Sequence, residues 1–435
     1  MSGTTLDQYT DRYAQRTRGM AASEVRALFA VASRPEVVSL AGGMPYTAAL
    51  PLDAVGQMLG ELVARHGVTA LQYGSGQGEP TLREQICSVM ALEGIDAEVG
   101  VSPDDVVVTV GSQQALDLVA RVFLDPGDVV LAEGPSYVTA LSTFAAAQAD
   151  VVHLAMDDDG LVPEALTEAL ARLSAQGRRP KFLYTTPTFH NPAGVTLSEA
   201  RRDEILDIAL RHDLLVLEDN PYGLLGFEGE PPRALRSRVR EGVLYLGTFS
   251  KTFAPGFRVG WALAPHGVRE RLVLASEAQI LCPPAFSQAA VSTYLSTQPW
   301  QQQIKTFREM YLERRDAMLG ALHDLMPAGT RWTRPAGGFY VWLSLPEGLD
   351  AKEMMPRAIH ARVAYVPGSG FFADGSGRQH MRLSFCYPPP ERIREGVRRL
   401  AGVVEEELEL RKTFGAPAAT PHVPPTAESP DPGLA

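Results

Sequence analysis

The 40 basic residues of this 435-residue chain include only five lysines, Lys181, Lys251, Lys305, Lys352 and Lys412. Each is a candidate nucleophilic amine. Lys412 adjoins a Pro/Ala-rich tail, Lys305 and Lys352 sit in helical stretches, and Lys181 precedes a strand in the basic run GRRPK. Lys251 alone follows directly on a strand, in VLYLGTFSKTFAPGFRVGW. An amine at the carboxyl edge of a buried strand stands where α/β sheets bind ligands, and it can form a Schiff base with a carbonyl compound. The same segment carries Thr248, Ser250 and Arg258, two hydroxyls and a guanidinium suited to a phosphate dianion. No GxxxxG precedes Lys251-Thr252, which excludes a Walker-type loop.

Other strand ends add complementary groups. LLVLEDNPYG is apolar up to Glu218-Asp219, and alternation sends these two carboxylates to opposite faces, so one of them meets the site. Asp219 beneath a pyridine nitrogen keeps that nitrogen protonated, and the pyridinium then acts as an electron sink for a carbanion. Asp219 before Asn-Pro is also an ordinary turn former. Tyr222, three residues on, and Asn191, in the loop HNPAG, can hydrogen-bond a phenolic oxygen on the same ring, although Asn-Pro is a plain turn signal too. DVVVTV leads through Gly111 into Ser112-Gln113 and a helix, a ready anion site. Tyr137, in EGPSYVTA, is flat enough to stack on a heterocycle or simply to pack in the core. An amine, a carboxylate, a phosphate cup and a stacking ring together suit pyridoxal 5'-phosphate. His190 is a lone loop histidine and is expected to be incidental. LQYGSGQGEPTLREQI has GxGxG rather than GxGxxG spacing and no convincing strand before it, so it is no dinucleotide fingerprint.

The elements that must position these residues alternate strand and helix. The short apolar runs DVVVTV, DVVLAE, VVHLAM, KFLYTT, LLVLED, VLYLGT and VGWALA read as strands buried on both faces. Helical stretches such as SQQALDLVARVFL, VPEALTEALARL and LSEARRDEILDIALRH lie between several of them. That pattern predicts an α/β fold with a doubly wound, mostly parallel sheet. After about Pro299 a long helix is followed by FYVWLSL, VAYVPG, MRLSFC and a last helix, which predicts a smaller α+β domain. The expected division is an N-terminal segment over 1–50 that joins the small domain, a large domain over 51–300, the small domain over 301–412 and a disordered tail over 413–435.

Nine segments now stand in order: SLAGGMP, QYGSGQG, GSQQALDL, GPSYVTA, HNPAG, LEDNPYG, FSKTFAPGFRVGW, GGFYVWLSLP and MRLSFC. Over about residues 20 to 410 the chain resembles fold-type I pyridoxal-phosphate aminotransferases of class I/II, and more closely the 2-aminoadipate and aromatic-amino-acid transaminases. The resemblance implies that Lys251 carries the cofactor as an imine and moves protons between Cα and C4′. It implies that Ser112, Gln113 through its backbone, Thr248, Ser250 and Arg258 surround the phosphate. It also implies that Tyr73 reaches that phosphate from the neighbouring subunit of a homodimer. Arg382 resembles the arginine that forks onto the substrate α-carboxylate, with Gly43 nearby. Arg26, in SEVRALF, matches a helix arginine that meets a distal acidic group, although the usual Arg-Glu-Leu is Arg-Ala-Leu here. The implied reaction is ping-pong transfer of an amino group between an L-amino acid (aromatic, 2-aminoadipate-like, branched or arylglycine) and a 2-oxo acid. Related scaffolds decarboxylate, cyclise or oxidise amino acids instead. The same core also occurs in bacterial MocR-type regulators behind a winged helix. Only about twenty residues precede the first expected helix here, so an enzyme is the expectation.

Composition agrees with an enzyme of small molecules. Hydrophobic content of 45% and charged content of 21% are those of a globular enzyme. A formal charge of −11 disfavours nucleic acid and acidic membranes as partners. Cys87, Cys282 and Cys386 are scattered and unpaired in spacing, as expected of reduced thiols in a cytoplasmic protein without a zinc site. The N-terminus lacks the apolar core of a signal peptide, and no run of about 18 apolar residues predicts a membrane span.

Overall fold

The computed structural model describes residues 9, 12–17, 34–229 and 232–415. All seven apolar runs become strands. A short β1 (Val38–Ser39) is followed by β2 (Val106–Thr109), β3 (Val129–Gly134), β4 (Asp150–Asp157), a two-residue β5 (Gly160–Leu161), β6 (Pro180–Thr185), β7 (Leu215–Asp219), β8 (Val243–Thr248) and β9 (Gly260–Leu263). Strands β2 to β9 form one sheet in the order β2-β9-β8-β7-β6-β3-β4-β5. Pairs β4/β3, β3/β6, β6/β7 and β7/β8 are parallel. Strand β9 is antiparallel to both β8 and β2, so β2 runs with the parallel strands. The carboxyl ends of β2, β3, β6, β7 and β8 therefore share one edge, where open α/β sheets bind ligands.

Helices bury both faces of this sheet. Val129, Leu131, Leu183, Val216 and Val243 pack on one side with Leu166, Leu170 and Ile205. Val130, Ala132, Phe182, Tyr184, Leu217, Leu244 and Leu246 pack on the other with Leu116, Val119 and Phe144. The period of two is kept to the last residues of β7. Glu218 turns to the first face, where both its oxygens accept backbone N–H groups of Leu235 and Arg236 at 2.9 Å. Asp219 turns to the second, the face of Tyr184.

The later strands are β10 (Arg331–Trp332), β11 (Tyr340–Ser344), β12 (Val363–Ala364), β13 (Val366–Pro367) and β14 (His380–Ser384). Strands β10-β11-β14-β13 make a four-stranded antiparallel sheet. The long helices Trp300–Leu325 and Pro390–Phe414 pack on each other and on this sheet's apolar residues. The last helix runs to Phe414, so the tail expected from residue 413 begins two residues inside it. Strand β1 pairs in parallel with β12, and Ser384 N donates to Leu40 O at 2.7 Å. Residues 38–40 thus lie between β12 and the end of β14, and the chain leaves them as Ala41-Gly42-Gly43-Met44, directed at the large sheet's carboxyl edge.

Candidate active site

The turns at that edge enclose a cavity of about 430 Å³. Its wall includes Gly43, Ser112, Gln113, Tyr137, Asn191, Asp219, Tyr222, Thr248, Ser250, Lys251, Arg258 and Arg382, twelve of the fourteen residues expected from the sequence. Tyr73 does not line it and is 78% exposed. Arg26 lies outside the described residues.

Lys251 sits one turn past β8. Its Nζ donates to Gly43 O at 3.0 Å and stands 5.7 Å from the Phe339 ring centroid. Burial, assisted by the positive charges of Arg382 and Arg258, lowers the amine from 10.5 to about 8, against the opposing pull of Cys386 and Asp219. Asp219 is wholly enclosed. Burial raises its carboxyl to about 6, although the Tyr184 hydroxyl and Lys251 oppose the shift. Tyr184 Oη donates to Asp219 Oδ2 at 2.9 Å, while Oδ1 has no partner in the protein. A buried carboxylate oxygen without a donor is costly and calls for a ligand N–H.

The phosphate-type groups converge where β2, β8 and β9 meet. Thr248 Oγ1 lies 2.9 Å from Ser250 Oγ and accepts from Ser250 N at 3.1 Å. Arg258, in the left-handed region at φ 54°, reaches Ser250 Oγ at 3.2 Å and the Val110 carbonyl at 3.2 Å. This guanidinium fills the space beside Gly111, where any side chain would overlap it. Gly260 is needed for the same closeness, because a Cβ there would stand 2.6 Å from Ser112 N. The helix Ser112–Phe123 begins at this point, and the first amides of a helix lack intrahelical acceptors. Ser112, Gln113, Thr248, Ser250 and Arg258, from three segments, thus line the same cavity with groups able to donate to an anion.

At the other side of the cavity Arg382 projects from β14, buried and stacked over Tyr340 with its guanidinium carbon 4.2 Å from the ring centroid. Its Nη1 donates to Asn191 Oδ1 at 2.9 Å and its Nη2 to Ala41 O at 2.8 Å, whereas Nε is buried without a partner. The bond from Arg382 orients the Asn191 amide. Tyr222 Oη stands 3.4 Å from Tyr340 Oη, and burial raises both phenols above their ordinary value.

Three contributors were not singled out from the sequence. Tyr340, in GGFYVW, closes the wall over Gly43, where a methyl group would overlap its hydroxyl. Tyr184 supports Asp219 across the sheet, and only the β6–β7 register brings the two together. Met44 adds an apolar side chain beside Gly43. The glycine pair in SLAGGMP was the available signal for a close approach. His190 does not line the cavity. Its Nδ1 accepts from Ala193 N at 3.1 Å, which leaves Nε2 as the protonated nitrogen, 3.1 Å from Glu133 Oε2. Among the described residues no cluster of three or more His, Cys, Asp or Glu is arranged to hold a metal, and no helix is long and apolar enough to cross a membrane.

The chain as a whole is similar to known proteins in sequence and in fold. The family model for aminotransferase class I and II matches residues 35–400. Aromatic-amino-acid aminotransferase 1 of Thermococcus litoralis is 43% identical over 410 residues, 94% of this chain and 97% of that protein. The chain belongs to the class I and II aminotransferases. Two solved relatives agree in fold. Pyrococcus horikoshii kynurenine aminotransferase, in complex with PMP, KYN and KYA, superposes with a TM-score of 0.88 at 41% identity, covering 93% of this chain and 100% of that one. The α-aminoadipate aminotransferase of Thermus thermophilus, complexed with N-(5'-phosphopyridoxyl)-L-leucine, gives 0.85 at 35% identity, covering 92% and 99%. The protein is a pyridoxal-phosphate-dependent transaminase of fold type I. The unpartnered Oδ1 of Asp219 and the donor cup at Ser112 fit that cofactor's ring nitrogen and phosphate.

Proposed function

We propose that this aminotransferase moves the amino group of an L-amino acid with an aromatic, branched or arylglycine side chain to a 2-oxo acid, in two half-reactions. The observation that carries the reading is one cavity holding a lysine amine of lowered pKa, an unpartnered buried carboxylate oxygen and a buried arginine with a free Nε. Pyridoxal phosphate, when bound, supplies a carbonyl for the amine and a ring that withdraws electrons from the substrate Cα. Ser112, Gln113, Thr248, Ser250 and Arg258 hold the phosphate. Asp219 Oδ1 accepts the ring N–H, Tyr137 covers the ring, and Tyr222 and Asn191 donate to the phenolic oxygen. Arg382 binds the substrate α-carboxylate beside Gly43, because its guanidinium is already oriented by Asn191 and Ala41. With its amine lowered to about 8, Lys251 is unprotonated in an appreciable fraction of molecules near neutral pH and takes the proton from the substrate Cα.

Side-chain selectivity follows from what remains of the wall. Among the described lining residues the cations are Lys251, Arg258 and Arg382, each already given a partner. Of the lining residues left without a role, Met44, Val138, Pro221, Pro255 and Tyr340 are largely apolar, Thr139 and Thr186 are neutral hydroxyls and none carries a charge, which favours an aromatic, branched or arylglycine group over a second carboxylate. The kynurenine and aromatic-amino-acid substrates in the relatives' names support this preference. A 2-aminoadipate-like substrate would need a further cation, the part given to Arg26. A second copy of the chain completes the site through its Tyr73, whose exposure on the single chain supports that role. The division at residues 50 and 300, with the small domain carried to the end of the last helix at Phe414, belongs to the same proposal and is supported by the separate eight-stranded and four-stranded sheets and by the pairing of β1 with β12.

Lys251→Ala tests the central assignment. It is expected to abolish the visible absorbance of the lysine-bound cofactor and turnover together. Half-transamination at a near wild-type rate would overturn the assignment. A single-turnover scan of amino acids, following loss of the same absorbance, ranks the side chains. Stoichiometric transfer to 2-oxoglutarate separates transamination from decarboxylation, cyclisation or oxidation.

A further inference from the structure

Behind the turn that follows β7 lies a carboxyl group that belongs to none of the nine family-like segments. Glu93 ends the short helical turn Ala91–Glu93 and is only 4% exposed. Its Oε1 accepts from Asn220 Nδ2 at 2.8 Å and its Oε2 from Tyr245 Oη at 2.6 Å. Its carbonyl accepts from Ala234 N at 3.1 Å. Gly223 leaves room for this carboxyl, since a methyl group there would overlap Oε1. The nearby charges are engaged elsewhere. Glu218 accepts from Leu235 and Arg236. Arg202 donates to the carbonyls of Leu197, Arg233 and Pro187 and to Thr188 Oγ1. Asn220 and Tyr245 are therefore the two side chains that Glu93 serves.

Asn220 sits between residues of the cavity wall. Asp219, Pro221 and Tyr222 all line the cavity, and the Asn220 side chain points away from it into Glu93. The turn's backbone is tied to the sheet by Asn220 N donating to Leu246 O at 3.0 Å. Glu93 supplies the matching tie on the side-chain end.

We propose that Glu93 is a positioning residue that holds the Asn220–Gly223 turn, and with it Tyr222, against the cofactor edge of the cavity. The inference rests on the reading that Tyr222 touches the cofactor's phenolic oxygen. Burial raises the Glu93 carboxyl to about 7, opposed by the hydroxyl of Tyr245 and the amide of Asn220, while Glu218 adds to the rise. Near neutral pH a neutral carboxyl is thus already common, and glutamine reproduces its shape. In the Glu93→Gln protein the side-chain carbonyl still accepts from Asn220, and the side-chain amide donates to Tyr245 Oη.

The test uses the full chain stripped of cofactor and reloaded with pyridoxal phosphate, with two readouts besides turnover. These are the cofactor's affinity and the pH midpoint of its visible absorbance. Glu93→Ala and Asn220→Ala are each expected to weaken affinity about tenfold, the size of one lost hydrogen bond, and to displace the midpoint. Glu93→Gln is expected to keep both near wild type. A folded Glu93→Ala protein with unchanged affinity and midpoint overturns the proposal. If that variant does not fold, Asn220→Ala decides, and wild-type values there overturn it equally. Tyr222→Phe separates the underlying reading. If it leaves the midpoint in place, the Tyr222 contact is wrong and affinity alone judges Glu93. If it moves the midpoint and neither alanine variant does, the contact stands and the role of Glu93 falls.

Discussion

Replacing Asp219 by asparagine keeps the shape of a buried side chain and removes its charge. In the cofactor-free protein that charge is unfavourable, because burial raises the carboxyl to about 6, about two units above an unfolded aspartate near 3.9. Each unit is worth about 1.4 kcal/mol, so the folded state carries a penalty of about 3 kcal/mol once the group is ionised. The folded protein binds this proton more tightly than the unfolded chain. The stability from this group is therefore fully present below about pH 4 and is lost as pH rises through 6. The substituted amide keeps the acceptor for Tyr184 Oη and turns a donor, not a lone acceptor, toward the cavity. Urea unfolding of cofactor-free protein at pH 4.5 and pH 7.5 is the assay. Asp219→Asn is expected to exceed wild type by at most about 1 kcal/mol at the lower pH, where an unfolded aspartate is already mostly ionised, and by about 2 to 3 kcal/mol at the higher. In the loaded enzyme the same change is expected to lower kcat by a factor of at least about 100, since no carboxylate then holds the ring proton. A cofactor-free Asp219→Asn protein that is less stable than wild type at pH 7.5 would refute the claim that this carboxylate is held at a cost for function.

Arg382→Lys keeps the charge and loses the fork that reaches Asn191 and Ala41 together. It is expected to raise KM for the amino acid about 30- to 100-fold, the loss of about 2 to 3 kcal/mol, with cofactor affinity nearly unchanged in an absorbance titration. Gly43→Ala drives a methyl group into the Tyr340 hydroxyl. Activity is expected to fall sharply in steady-state kinetics and to return in part when Tyr340→Phe removes that oxygen. Gly260→Ala sets a Cβ against the backbone of Gly111 and Ser112, which cannot yield as a side chain can. It is expected to destabilise the fold by about 2 kcal/mol or more and to weaken cofactor binding, measured by thermal unfolding with and without pyridoxal phosphate. Attachment of the cofactor requires the unprotonated amine of Lys251. Stopped-flow loading is therefore expected to accelerate with pH up to about 8 and then level off, whereas an ordinary lysine near 10.4 would still be accelerating.

The strand ends were legible because both signals that mark them are local. Seven apolar runs named seven strands, and each of Asp219, Thr248 and Lys251 sits at or just beyond the point where apolar character stops. Alternation along one strand separated Glu218 from Asp219 without any partner strand being known. Arg382 and Gly43 came only from the resemblance. Nothing in MRLSFC or SLAGGMP says locally that one lies on a strand of the small sheet and the other on a connecting segment, or that both face the large sheet's edge.

What the amino-acid order determined by itself was therefore the inventory of chemical groups and the end of each strand on which they stand. These depend on periodicity and composition within about ten residues. Strand order, the antiparallel β9, the support of Asp219 by Tyr184, the closing of Tyr340 over Gly43 and the tie from Glu93 to Asn220 were decided only by tertiary structure. Each joins residues far apart in the chain whose meeting depends on how sheets register and pack, and such contacts leave no periodic trace in the sequence of either partner. The same packing sets the chemistry of the lysine. Its position was readable from five candidates, but its lowered pKa comes from burial and from arginines brought in by β9's approach and by β14.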